Sequence, residues 1–469
     1  MHRIVPVVLG LSLVFASAPA LPQVSPPLSG ASQTHVPGWL APYRADAQRL
    51  IDKAMADQFA WDRLAELTDT YGARLTGSDN LTRAIAWAVE TMKKDGLDRV
   101  RAEKVMAPRW VRGRESLEIT DPPYHVIPLL GLGGSVATPP GGIEAEVLVV
   151  SSTDELRQRS ADARGRIVLF DVPFTDYAET VAYRVGGARL AAQHGAVAAL
   201  VRSVGPIGLR TTHTGGMQYG DEAPKIPAAA ISVEDAQRIH RIVSRGRTVK
   251  VRLEMEAHFE ADVESANVIG EVVGRERPEE IVLVGCHFDS WDAATGASDN
   301  AVGCIVTWEG LRLMKALGIQ PRRTVRVVLF TNEENGLRGG NAYRDVYASE
   351  AERHVLAIES DSGVFAPARL AFSGAESARR VIADIATLLA GIGMQTVGPG
   401  GGGADIGPIA LLGEVPMMAY AGDETKYFVI HHTPADTVER ILPEEVSKAA
   451  AALAVMTYVV AEMPERLPK

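Results

Sequence analysis

The sequence predicts an α/β fold, a mostly parallel sheet covered by helices on both faces, with a smaller α/β unit inserted into it. Three observations predict it. From about residue 261 onward, short continuous apolar runs alternate with stretches of helical length and spacing, which is how strands buried on both faces read. Between residues 130 and 260 the chain instead packs five strand-like segments around two helices, a mixed unit with its own pattern. And 469 residues exceed what one ordinary core accommodates.

The elements follow in chain order. His2-Arg3, the apolar run Ile4 to Phe15 and the cleavage-like Ala18-Pro19-Ala20 read as a secretory signal over residues 1–20. Residues 21–40, rich in Pro, Ser and Gly, read as a flexible leader. Residues 41–129 form a first part of the larger domain, with helical spacing over Arg44 to Thr70 and again over Asn80 to Lys94. The inserted unit, 130–260, has strands at Glu144–Val150, Arg166–Val172, Ala196–Val201, Ile226–Ile231 and Val249–Met255. In residues 261–469 the strands Ile281–Gly285, Val325–Phe330, Val355–Ile358 and Val415–Tyr420 alternate with the helices Ala301–Leu317, Gly339–Tyr347, Ser377–Leu389 and Pro443–Ala461. No second stretch is long and apolar enough to span a membrane once the signal is cleaved.

A net charge of −10 argues against nucleic acid, since nothing would neutralise a phosphate backbone. The two cysteines, Cys286 and Cys304, do not make a disulfide scaffold. Two buried free thiols are the default expectation, with a bridge between them as the alternative. The glycine run Gly398 to Gly403 lacks the Lys-Ser/Thr of a phosphate loop and reads as a flexible loop over a site, with Asp405 at its end as a candidate substrate contact. Asn80-Leu81-Thr82 is a glycosylation sequon.

Five short stretches carry the chemistry: His287-Phe288-Asp289, Ser298-Asp299-Asn300, Asn332-Glu333-Glu334-Asn335, Glu359-Ser360-Asp361 and His431-His432-Thr433-Pro434-Ala435-Asp436-Thr437. Three of them follow predicted buried strands, and in open α/β sheets ligands sit beyond the carboxyl ends of the strands. Two His and three carboxylates are the donor types a pair of zinc ions takes. His287, Asp299, Glu334, Asp361 and His432 are the expected ligands, with Asp299 the candidate bridge because a carboxylate can give one oxygen to each ion. Adjacent Glu333 and Glu334 would repel unless cations compensate them; Glu333 is the expected general base. Asp289 is expected to fix the His287 tautomer and Asp436 to support the site from outside the ligands. His431 is a candidate donor to a developing oxyanion. The reaction class that this set implies is metal-assisted hydrolysis.

These residues resemble the zinc-dependent aminopeptidase-like metallopeptidases, whose pattern of His, bridging Asp, Glu-Glu, Asp and His maps onto His287, Asp299, Glu333-Glu334, Asp361 and His432. Gly165-Arg166-Ile167-Val168, Tyr183-Arg184, His213-Thr214-Gly215, Lys225-Ile226-Pro227 and Ile231-Ser232-Val233-Glu234-Asp235-Ala236 resemble the protease-associated domain inserted in one branch of that family. The likeness runs from about Trp61 to Pro468. It implies zinc, an unblocked dipeptide as substrate and a homodimer; the five expected ligands suit two zinc ions per chain, and the signal-like start implies an exported enzyme, secreted or periplasmic. The sequence departs from that branch at Thr433-Pro434-Ala435-Asp436 and at Asn300, which leaves a broader aminopeptidase on longer peptides as the second reading. An inactive receptor-like relative and a one-zinc glutaminyl-cyclase-like acyltransferase fit less well, because Glu333 and all five ligands are present.

Overall fold

Every residue of the strands Arg323–Phe330 and His354–Ser360 is buried, and Arg277–His287 is buried from Ile281 on. Strands with no wet face need covering on both sides, and the computed structural model, which describes residues 36–121, 124–220 and 224–469, shows both sides covered. The expected signal and most of the leader lie outside the described residues. The larger sheet has eight strands in the order Asp98–Ala107, Val263–Val272, Arg323–Phe330, Arg277–His287, His354–Ser360, Met417–Ala421, Arg369–Ser373, Val397–Pro399. Its four central strands run parallel. Antiparallel pairings begin at Val263–Val272 on one side and Arg369–Ser373 on the other.

One face is covered by the helices Arg44–Met55, Phe59–Tyr71, Asp79–Lys94, Val302–Leu317 and Pro443–Glu462, which share one core with the sheet. The last of these is apolar nearly all round because its middle is buried from Ala449 to Ala461. Arg338–Tyr347 and Gly407–Gly413 cover the other face. Among the described residues no helix is long and apolar enough to cross a membrane.

The inserted unit has its own eight-stranded sheet, in the order His125–Val126, Glu115–Asp121, Lys250–Met255, Ile143–Val150, Ile167–Phe170, Ala198–Arg202, Ala228–Ile231, Leu129–Gly131. Its four strands from Ile143–Val150 to Ala228–Ile231 are parallel. The sheet begins at Glu115, earlier than the expected boundary at residue 130. Glu115–Asp121 shows only Leu117 and Ile119 to the core, and its partner Lys250–Met255 lies far along the chain, so no local pattern marks it. Trp110–Val111 pairs with His258–Phe259 where the chain leaves and re-enters the larger domain.

The cysteines differ from the default expectation. Cys286 and Cys304 form a disulfide, with Cα atoms 5.1 Å apart and a sequence separation of 18. The helix Val302–Leu317 folds back against the end of Arg277–His287, which brings the thiols within the span a disulfide accepts.

Candidate metal centre

The strand register sets the site. His287 pairs with Phe330 and Gly285 with Glu359. Glu333 and Asp361 therefore lie just beyond neighbouring strands at the same end as His287. The segment Ala297–Ala301 leaves helical geometry at Asp299 (φ −128°, ψ 85°) before the helix proper starts at Val302. His432 follows the short helix Glu424–Ile430 in a left-handed conformation, φ 59°.

All five expected ligands converge. Asp299 divides its carboxylate between two groups: Oδ1 lies 3.2 Å from His287 Nε2, and Oδ2 lies 3.0 Å from His432 Nε2. Asp361 Oδ1 is 3.1 Å from His287 Nε2 on the first side, and Glu334 Oε2 is 3.1 Å from His432 Nε2 on the second. Donor atoms of His287, Asp299 and Asp361 all fall within 4.8 Å of one another, and so do those of Asp299, His431 and His432. On the second side Glu334 makes the closer approach, since His431 Nε2 stands 3.5 Å from Asp299 Oδ2 and its ring lies stacked on His432 at 3.6 Å.

The donor set fits divalent cations. Buried Glu334 Oε1 has no hydrogen-bond partner among the described residues, and Asp299 Oδ2 faces the Nε2 atoms of His431 and His432. Burial, with Asp299 adding to it, pushes the Glu334 carboxyl up to about 7. Burial also raises Glu333 well above the usual carboxylate range, and neighbouring Asp361, Glu334 and Asp289 raise it further. Against burial, hydrogen bonds from His287 and His432 hold Asp299 well below that range. So many carboxylates on one buried spot call for positive charge.

A second layer holds these groups, and part of it differs from the expectation. His287 Nδ1 faces the main-chain carbonyl of Asp289 at 3.0 Å, not its carboxylate. The Asp289 carboxylate instead accepts the N–H groups of Glu333 (3.1 Å) and Glu334 (3.4 Å) and the Thr76 hydroxyl (3.0 Å), so it positions the glutamate pair. The histidine turns back on its own strand-end turn, which leaves the side chain free to reach the next strand. Asp436 accepts the N–H and Oγ–H of Ser298 and the N–H of Asp299, holding Asp299 in place. Burial pushes the Asp436 carboxyl to about 6. Asp405, expected near substrate, is fully buried and does not line the cavity; its N–H donates to Glu359 Oε2 at 3.1 Å. The glycine run folds inward there, with Gly403 packed so closely on the Glu359 carboxylate that a Cβ would sit 2.0 Å from its carbon.

Two groups were not foreseen. Arg74 is wholly buried and donates to the carbonyls of Phe288, Gly72, Thr295 and Gly296, tying the turns on either side of the ligands together. Burial lowers it to about 10. Its only sequence signal is one Arg before the turn Leu75-Thr76-Gly77-Ser78. The other group comes from the inserted unit. Thr214 accepts from His432 Nδ1 through its carbonyl (3.3 Å), and its N–H donates to the His432 carbonyl (2.9 Å). Arg184 lies beside the same imidazole. The unit also encloses one side of a cavity of about 520 Å³ over the site.

A parallel sheet with paired His and carboxylate donors at its carboxyl edge, roofed by an inserted domain, defines a metal-dependent hydrolase. The model of Peptidase family M28 matches residues 267–457, and that of the PA domain matches residues 121–239. Carboxypeptidase Q from Mus musculus is 42% identical over 433 residues, 92% of this chain and 92% of its own, and that from Homo sapiens is 43% identical over 426 residues, 90% of each. The crystal structure of a Peptidase M28 precursor from Shewanella amazonensis superposes with a TM-score of 0.87 at 33% identity, covering 91% of this chain and 98% of that one. A zinc aminopeptidase from Bacillus subtilis shares the fold, with a TM-score of 0.65 at 21% identity over 86% of this chain and 94% of its own. The chain belongs to peptidase family M28, and it is a carboxypeptidase Q-like zinc metallopeptidase with an inserted PA domain.

Proposed function

We propose that this peptidase is an exported homodimer that holds two zinc ions per chain and hydrolyses unblocked dipeptides. The observation that carries the two-metal reading is the divided carboxylate of Asp299, 3.2 Å from one histidine and 3.0 Å from the other. His287 and Asp361 would hold one ion, His432 and Glu334 the other, and Asp299 both. When bound, the pair would polarise the scissile carbonyl and acidify the attacking water.

The chain's own residues do the rest. Glu333 lines the cavity beside the ligands. It takes the proton from the water as the oxygen attacks the carbonyl carbon, and gives it to the amine nitrogen as the C–N bond breaks. Burial and the crowding carboxylates raise its affinity for that proton. Burial, reinforced by charge on His432, holds His431 well below its ordinary range, so it is a neutral N–H donor suited to the developing oxyanion. A cavity of about 520 Å³ closed on one side by the inserted unit suits a small peptide better than a long one. The homodimer and the export rest on the resemblance and on the signal-like first 20 residues.

The test is hydrolysis by zinc-loaded protein of an unblocked dipeptide, its N-acetylated form and a longer peptide, alongside metal analysis. Two zinc ions per chain and cleavage of the free dipeptide alone are expected. Equal cleavage of the longer peptide would replace the dipeptidase by a general aminopeptidase. One zinc at saturation would remove the bridging role of Asp299.

A further inference from the structure

Charge is divided unevenly around the cavity. Its catalytic wall carries Asp299, Glu333, Glu334, Asp361 and Glu424, whereas the inserted unit contributes Arg184, the one Lys or Arg that lines it among the described residues. A zwitterionic substrate has an ammonium for the first wall and needs a cation for its carboxylate.

Arg184 sits on the helix Tyr177–Gln193 and is only 6% exposed. One terminal nitrogen donates to the Thr214 carbonyl (3.2 Å) and the other to the Tyr177 hydroxyl (3.0 Å), while Nε has no partner. No carboxylate among the described residues pairs with it within 4.0 Å. A buried cation without an anion is costly. The fold nevertheless shapes itself around this one: a Cβ on Gly215, whose φ is +137°, would lie 2.3 Å from the guanidinium carbon. The side chain is held in place with its charge uncompensated, and guanidinium retains N–H groups to offer.

Its position suits one substrate length. A terminal nitrogen stands 3.4 Å from Nδ1 of His432, whose other nitrogen faces Asp299 and Glu334. The cation is thus one imidazole ring away from the ligand atoms. In an extended peptide the next backbone group follows at about 3.5 Å per residue. The first group beyond the scissile carbonyl that carries a negative charge is the α-carboxylate of a dipeptide. A longer chain brings a neutral amide to the same place and leaves the arginine unpaired.

We propose that Arg184 binds the free α-carboxylate of a two-residue substrate, so that the inserted unit sets substrate length. This rests on the dipeptidase reading above.

The test compares a free dipeptide with its C-terminal amide and with a tripeptide, on zinc-loaded wild type, Arg184→Gln and Arg184→Lys, with zinc per chain measured throughout. Wild type is expected to favour the free dipeptide over the amide by about 30-fold or more in kcat/KM, the loss typical of truncating one side of a buried charge pair. In Arg184→Gln that preference collapses, chiefly through KM, with zinc at the wild-type level; Arg184→Lys keeps part of it. The wild-type comparison needs no variant to fold. Equal cleavage of dipeptide and amide by wild type overturns the inference alone, and so does an Arg184→Gln variant that slows both substrates equally or loses zinc. Wild type that cleaves the tripeptide but not the dipeptide overturns the dipeptidase reading and the inference with it.

Discussion

The two histidines of the metal centre are held in different ways. His287 ends a central strand, and its Nδ1 bonds to the backbone two residues further along the same chain segment. His432 stands in a left-handed conformation after a short helix and leans on Thr214, a residue of the other domain. One half of the site is local and is fixed by the sheet. The other is assembled across a domain interface. Metal sites depend on the groups behind the ligands nearly as much as on the ligands, so the inserted unit belongs to the second half of the centre even though it supplies no ligand.

The largest expected effect ignores the difference. Glu333→Gln should lower kcat/KM by about 10²–10⁴ with zinc content unchanged, because the general base proposed above serves both halves. A fall in zinc instead would make Glu333 a ligand. Next, the disulfide belongs to the local half, since it ties the strand ending at His287 to the helix that follows Asp299. Replacing Cys286 and Cys304 together by Ala should cost about 2–4 kcal/mol of stability, measured as a lowered midpoint in urea.

The sharper pair of variants acts from opposite sides of the domain boundary. Asp289→Asn loosens the glutamate pair from within the catalytic domain, and Gly215→Ala, at φ +137° and next to Thr214, shifts the carbonyl on which His432 leans. Each should weaken zinc binding by about 10–100-fold, but Gly215→Ala should do so for one of the two proposed ions in a metal titration. Loss of both ions together would show that the halves are not separable. Ser298→Ala should give the smallest change, about 1 kcal/mol, because Asp436 keeps the Ser298 and Asp299 N–H groups when the hydroxyl is lost. Thermal melting with zinc bound would read it.

The same division governs what the sequence reveals. Buried strands are continuous apolar runs, so the strands ending at His287, Phe330 and Ser360, and with them the level of Glu333 and Asp361, are legible from hydropathy alone. The inserted unit is legible from its change of pattern, although its first strand is not. Residues whose role depends on a partner far along the chain leave no such trace. Thr214 offers its own carbonyl to His432, and Arg184 and Arg74 donate to carbonyls supplied by other segments. The carboxylate of Asp289 turns from its neighbour His287 to the next loop for the same reason. Asp405 follows a glycine run that looks like an exposed loop, yet packs inward against Glu359. The cysteine pair becomes a bridge only because a helix returns to its strand.

The order of segments along the chain has one more consequence. The inserted unit, from Glu115 to Phe259, precedes all five expected ligands. During synthesis Thr214 and Arg184 emerge before His432 exists, so the surface that receives the last ligand is made first. Domains generally fold as units in order of emergence. A nascent chain therefore carries a finished roof over an unfinished hearth, and its capacity to cut peptides arises only after the part that decides what may enter.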